Sequence, residues 1–376
     1  MGKHALQNIF DRYLSNAAGR KKIPVHYLKV IDKLTACRTA ALGGHAQYCE
    51  NNHLYGIWYN SCKHRFCPQC RGMATEEWLV NTKNILLNCP HHHIIFTLPD
   101  ELNNLWRYNP AIMTNLLFHA AQKTLLQFAK DPQYLAAKPA IISALHTWGR
   151  SLSLHPHIHA LVSHGGINTH GEWVTPKKES LFPQKPLMMV YRGKLRAMIK
   201  TAAQKEGWRF PPDMNETQLS NLLNKLGRKE WVVHCCPRYE YATGVAKYLS
   251  RYVKSGPVKK QQISFAGNNL VRFQYQSHQT KKKEVLTLPI DTFVRRLIQH
   301  IPLIGKPTLR YAGLYNSAAR KTLNQAREIL GQLAVTARIA LQWQDFLASK
   351  GHEICCKLCG SSITQMINIQ PLRKTM

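Results

Sequence analysis

Two groups of residues in this sequence have types and spacings suited to chemistry. The stretch SLSLHPHIHALV (151–162) places His155, His157 and His159 at every second position of an otherwise apolar run. Side chains alternate along a strand, so the three imidazoles would share one face while Leu154, Ile158, Ala160 and Val162 share the other. Neutral imidazole nitrogens on such a face can hold a cation, although H-x-H also occurs in half-buried strands with no ligand. The second group is soft. SCKHRFCPQC carries Cys62, Cys67 and Cys70 as C-x4-C-x2-C, and CRTAALGGHAQYCENNH supplies Cys37, His45, Cys49 and His53 upstream. Thiolates two residues apart on a tight turn reach one tetrahedral ion, and Pro68 helps set that turn. These seven residues predict one zinc site or two, with His64 as a spare ligand. HEICCKLCG near the end repeats the theme with His352, Cys355, Cys356 and Cys359.

A third pattern is helical. In GVAKYLSRYVK, Val245, Leu249 and Val253 form a buried stripe, and Tyr248 and Tyr252 lie four residues apart. At ~100° per residue the two phenols stand within ~40° of each other. Lys247, Arg251 and Lys254 form a basic ridge beside Tyr248, so this face can meet a phosphate backbone.

The bulk composition narrows the partner. Over 376 residues, 51 Lys and Arg face 20 Asp and Glu, a formal charge of +31. The excess is spread from GRKK (19–22) through GRKE (227–230) to TKKK (280–283) rather than gathered in a tail. Such a surface repels itself unless a polyanion is present, which points to nucleic acid. Lys63, Arg65 and Arg71 interleave with the zinc ligands, so the N-terminal module is expected to contact DNA. No run approaches the ~18 apolar residues of a membrane span, and the first residues lack a signal-peptide core, so a cytoplasmic protein without membrane contact is expected. Eleven cysteines are then better explained by metal than by disulfides. A hydrophobic content of 44% excludes a mostly disordered chain.

The elements that must position these groups are legible in outline. Helices are predicted at about 4–17 and 73–87, across about 101–136, and over 187–228 with a break at GWRFPPDMNET. HHHIIFTLP (91–99) and EWVVHCCP (230–237) read as strands, SHGGINTHGEW as a turn and hairpin, and 262–290 as a hairpin around Asn268-Asn269. The last part, beyond 290, reads as helical and ends in a short cysteine cluster.

CRTAALGGH, YNSCKHRFCPQC, HHHIIFTLP, LHPHIHALV, WVVHCCP, VAKYLSRYV and LRYAGLYN occur in one order. In that order the chain resembles the HUH endonucleases, in particular the rolling-circle transposases of the insertion sequence 91 family. The resemblance implies an α+β fold: an antiparallel sheet with covering helices carries the histidine strand centrally, after an N-terminal zinc-binding domain. It implies a zinc-binding, DNA-contacting domain at 1–88, a catalytic nuclease domain at 89–260 with a helical insertion, and a hairpin and helical region with a cysteine-containing tail at 261–376. His157 and His159 match the family's metal pair, and Tyr248 and Tyr252 match its paired nucleophiles. Mg²⁺ or Mn²⁺ is implied at the nuclease site and Zn²⁺ in the N-terminal domain. The third metal ligand stays open between His155, His92 and His93. Asn52 departs from the pattern, standing where a cysteine is usual.

The activity so implied is nicking and rejoining of single-stranded DNA at an element's ends through a covalent 5′-phosphotyrosine. A replication initiator or relaxase would share that chemistry, and a non-enzymatic zinc-containing DNA-binding protein would share the composition. Two-metal carboxylate transposition is excluded by the scarcity of acids.

Overall fold

Strand Leu154–Ile167 (β5) forms where alternation demands it, and the fold is arranged around it. The computed structural model describes residues 5–15, 20–21, 23–240, 244, 256–277, 280–351 and 354–372. Among these, β5 is the middle of an antiparallel sheet whose order is Leu309–Gly313 (β11), Lys138–Trp148 (β4), β5, His91–Thr97 (β3) and Val233–Cys235 (β7). Trp173–Val174 (β6) folds back on the end of β5, giving the hairpin expected from SHGGINTHGEW.

One face of the sheet is covered by helices Pro110–Lys130, Gln184–Ala203 and Glu216–Arg228. Ile94, Phe96, Ile158, Ala160 and Val162 are buried there against Leu117, Phe118, Tyr191 and Leu195. Local chemistry sets the helix starts. Pro110 opens the first with its fixed φ. Asn215 and Gln218 close a capping box at the third, each side chain bonding the other's backbone N–H. Proline at 110 also splits the helical stretch expected over 101–136, so that Asn103–Tyr108 is a separate helix. The opposite face is packed, toward Ile142 and Leu161, beneath Leu87, Leu314 and Tyr315.

Two smaller sheets flank this body. Ile263–Phe265 (β8), Leu270–Gln276 (β9) and Lys283–Pro289 (β10) form an antiparallel meander. Asn268 and Asn269 take positive φ at its first turn, as a tight hairpin requires. Gly44–Cys49 (β1) and Leu54–Tyr59 (β2) pair as a hairpin, and Ile363–Ile369 (β12) adds to the free edge of β1. The C-terminal region was expected to be helical, and β11 and β12 correct that reading. Both are short edge strands specified by distant partners, not by local periodicity.

A second core joins Leu6, Phe10, Ile31 and Leu34 to Val271, Phe273, Phe293 and Leu297. Packing thus runs across the expected divisions at 88 and 260. Among the described residues no helix is long and apolar enough to cross a membrane.

Ile158 is fully buried between the two histidines of interest. Ile158→Ala should therefore cost about 2–5 kcal/mol, the usual range for truncating a core aliphatic. The downward shift of the urea midpoint measures it, and an unchanged midpoint would count against the packing described.

Candidate functional site

The register of β4 on β5 builds the histidine cluster. His146 lies directly across from His157, and Ala144 from His159. Side chains opposite one another in a sheet share a face, so His146 joins the pair that the sequence reading singled out. One nitrogen from each of His146, His157 and His159 lies within 4.8 Å of the others. The ring centroids are 4.5 Å apart for His146 and His159, 4.7 Å for His157 and His159, and 5.4 Å for His146 and His157.

The third member is His146, not His155. The His155 side chain is 39% exposed and stands 3.6 Å from the Asp100 carboxylate. His92 and His93 alternate to opposite faces of β3. His92 Nε2 lies 2.7 Å from His164 Nδ1, away from the cluster, whereas His93 Nε2 lies 2.8 Å from His159 Nδ1 and backs it.

The hydrogen bonds fix which nitrogens face inward. His157 Nδ1 is 2.6 Å from the His155 carbonyl, which can only accept, so Nδ1–H donates and Nε2 keeps its lone pair. When His159 Nδ1–H donates to His93, the lone pair of His159 sits on Nε2. Burial pushes His157 down to about 4 and His159 well below the ordinary imidazole range. Desolvation penalises the imidazolium, so both rings are neutral near pH 7. Three imidazoles without a carboxylate suit a first-row divalent ion such as Mn²⁺ or Zn²⁺ better than Mg²⁺, which prefers oxygen.

The soft ligands sort into two tetrads. Cys37, Cys62, Cys67 and Cys70 bring their sulfurs together, with 3.7 Å between Cys62 and Cys70 and 3.6 Å between Cys37 and Cys67. A zinc tetrahedron with Zn–S of ~2.3 Å has S···S edges of ~3.8 Å, so the four fit one ion. Cys49 and His53 instead meet Cys356 and Cys359. His45 belongs to neither group. Its ring stacks on Trp58, with centroids 6.4 Å apart and planes at 18°. Asn52 sits at φ 57°, in the turn between β1 and β2, a left-handed position that suits asparagine better than cysteine. His64 is not a ligand either. Its Nδ1 accepts from the Phe66 backbone N–H at 3.2 Å, and burial lowers its pKa.

Of the cations expected to meet DNA, Lys63 is exposed. Arg65 is turned inward and donates to the carbonyls of Leu303 and Lys306. Arg71 is half-buried at the start of helix Gly72–Ile85. Arg65 and Arg71 line a cleft of about 310 Å³ together with Arg338, Trp78 and Trp148. Trp148 stacks on His146, centroids 4.6 Å apart and planes at 16°, so the cleft adjoins the histidine cluster. Tyr248, Tyr252, Lys247, Arg251, Lys254 and His352 lie outside the described residues. Sequence reasoning missed His146 and Arg338, and it offered His93 as a ligand where the structure places it behind His159. The only local signal for His146 is its place in the alternating run ALHTW.

His93→Ala should weaken Mn²⁺ binding about 10–100-fold, the usual effect of removing a group that orients a ligand imidazole. His155→Ala should leave it unchanged, and titration calorimetry separates the two. For pH, a depressed pKa means protons compete only in acid. Affinity should hold down through the ordinary histidine pKa of about 6.5 and fall as pH nears the His157 value of about 4. An affinity halved near pH 6.5 would show that the imidazoles are solvated.

A model of the "transposase zinc-binding domain" matches residues 5–98, and a family model described as "Putative transposase" matches residues 140–322. The protein named "Putative transposase y4qJ" from Sinorhizobium fredii is 30% identical over 332 residues, covering 86% of this chain and 83% of its own. The transposase for insertion sequence element IS801 of Pseudomonas savastanoi pv. phaseolicola is 30% identical over 337 residues, covering 86% and 80%. Among solved structures, the conjugative relaxase TrwC in complex with oriT DNA aligns with 43% of this chain and 71% of its own, at 12% identity and a TM-score of 0.25. With two transposases matched over most of their length and a zinc-binding module at the expected end, the chain belongs to the insertion sequence 91 family of transposases.

Proposed function

We propose that this transposase nicks and rejoins single-stranded DNA at the ends of its element through a covalent 5′-phosphotyrosine, driving rolling-circle-type transposition. The observation that carries this reading is the cluster of His146, His157 and His159 beside a cleft lined by arginine and tryptophan. Arg71 and Arg338 suit phosphates, and Trp78 and Trp148 offer flat faces on which unpaired bases stack. A divalent ion held by the three imidazoles would polarise the scissile phosphate.

The chain's own groups do the rest. Tyr248 or Tyr252 attacks phosphorus through its phenolic oxygen, forming an O–P bond as the bond from phosphorus to the 3′ oxygen breaks. The phenolic proton leaves and the 3′ oxygen gains one, so the products are a free 3′-OH and a 5′-phosphotyrosine. The phosphodiester energy is kept in that linkage, and rejoining needs no nucleotide triphosphate. A second tyrosine four residues away allows a second strand to be cut while the first is still attached. The N-terminal zinc module is assigned to recognising or positioning the element's end, with Lys63 among its exposed cations.

The test is a labelled single strand carrying the element's end, incubated with protein and Mn²⁺ and run on a denaturing gel. A retarded protein–DNA adduct is expected with the wild type. None is expected with the Tyr248→Phe, Tyr252→Phe double variant, which keeps both rings and should fold normally. The His157→Ala, His159→Ala pair should lose cleavage and retain DNA binding that weakens steeply with salt. An adduct of undiminished yield from the double Phe variant would end the proposal and return both tyrosines to packing roles.

A further inference from the structure

We propose that Cys49, His53, Cys356 and Cys359 hold a second zinc ion, and that this ion fastens the C-terminal strand β12 to the N-terminal sheet. The four donor atoms lie within 4.8 Å of one another. Cys49 Sγ is 3.7 Å from Cys359 Sγ across 310 residues of sequence, and Cys356 Sγ is 3.8 Å from His53 Nδ1. These are the edges of a tetrahedron around zinc, with Zn–S of ~2.3 Å and Zn–N of ~2.0–2.1 Å. They are far too long for a disulfide, whose sulfurs sit ~2.05 Å apart.

Each half of the site is built as a knuckle. The backbone N–H of His53 points at Cys49 Sγ and that of Leu358 at Cys356 Sγ, both at 3.4 Å. Such bonds favour the thiolate, which is the ligating form. Asn52 at φ 57° and Gly360 at φ 73° supply the left-handed turns that bend each strand end around the ion. Cys355 is left out. It bridges to Ser362 through the backbone, and its sulfur does not join the group.

The packing explains why a metal is needed. Every side chain of β12 from Thr364 to Asn368 is exposed, so its six pairings with β1 bring backbone hydrogen bonds and almost no apolar burial. A strand with no buried face must offset the loss of chain entropy on ordering its own residues. Metal coordination supplies that stabilisation at one point, as it does in small zinc modules. The stretch 5–98 that matches the transposase zinc-binding domain contains only two of the four ligands. The module is completed by the other end of the chain.

Zinc per chain, measured by mass spectrometry on the purified full-length protein in reducing buffer, tests this without reference to cleavage. Cys359 is exposed, so Cys359→Ala opens no cavity. It should lose one zinc relative to the wild type, and trypsin should then cut at Lys357 several-fold faster. Cys359→His should recover both the ion and the protection, and Cys355→Ser should change neither. Wild-type zinc content in Cys359→Ala would overturn the proposal. So would a loss in Cys355→Ser equal to that in Cys359→Ala, since that would reveal general unfolding instead of a lost ligand.

Discussion

The antiparallel register of β4 on β5 is the constraint on which the rest of the molecule depends. It sets His146 across from His157 and leaves Ile158, Ala160 and Val162 to the helices behind. Side chains alternate with period two, so a slip of one residue would turn both β5 histidines into the apolar core and expose Ile158. The three helices on that face make such a slip prohibitive, because every apolar residue of the strand would lose its partners together. The geometry of the histidine cluster is thus a by-product of hydrophobic packing on the reverse of the sheet. No loop has to close to assemble it.

The same burial that fixes the register controls the protonation of the sheet. His91, His93 and His300 are held near pKa 4, and His92 near 3, all chiefly by desolvation. Their hydrogen bonds are those of neutral rings. His91 Nδ1–H donates to the Cys89 carbonyl, and His91 Nε2 accepts from the Tyr315 hydroxyl, each at 2.8 Å. These rings add nothing to the formal charge of +31 at neutral pH. The cluster therefore offers lone pairs to a cation within a strongly basic protein. Phosphates in the adjoining cleft would screen the divalent charge from the surrounding arginines.

Much of this was legible from local pattern. The alternation at 154–162 specifies a strand with one histidine face, because period two needs no knowledge of neighbours. The central place of that strand follows from its apolar content, and C-x4-C-x2-C specifies three members of one tetrad. What the sequence hides is pairing at long range. His146 becomes a cluster member only through the β4–β5 register, which no local rule supplies. Cys356 and Cys359 find Cys49 and His53 only because β12 adds to the edge of β1. His45, with the right chemistry and a plausible spacing, is excluded because strand alternation turns it toward Trp58. Arg65 reads as a DNA contact on charge alone, yet both of its terminal nitrogens donate to backbone carbonyls.

Those two carbonyls show how the zinc module is held against the sheet. Arg65 follows Cys62 by three residues and anchors the first tetrad to the segment that leads into β11. From Cys70 the chain enters helix Gly72–Ile85, whose Trp78 donates its indole N–H to the Tyr311 hydroxyl at 3.1 Å. Tyr311 lies in β11 opposite Ile142 of β4, the strand that carries His146 four residues further on. Asn81 and Asn84 of the same helix bond the carbonyls of Ile339 and Thr336, and the Leu87 N–H donates to the Tyr315 hydroxyl. The path from zinc ligand to histidine cluster is therefore one helix and two paired strands, with polar contacts at each junction and no unsupported linker. A single strand gripped by the module would reach the histidines at a fixed distance.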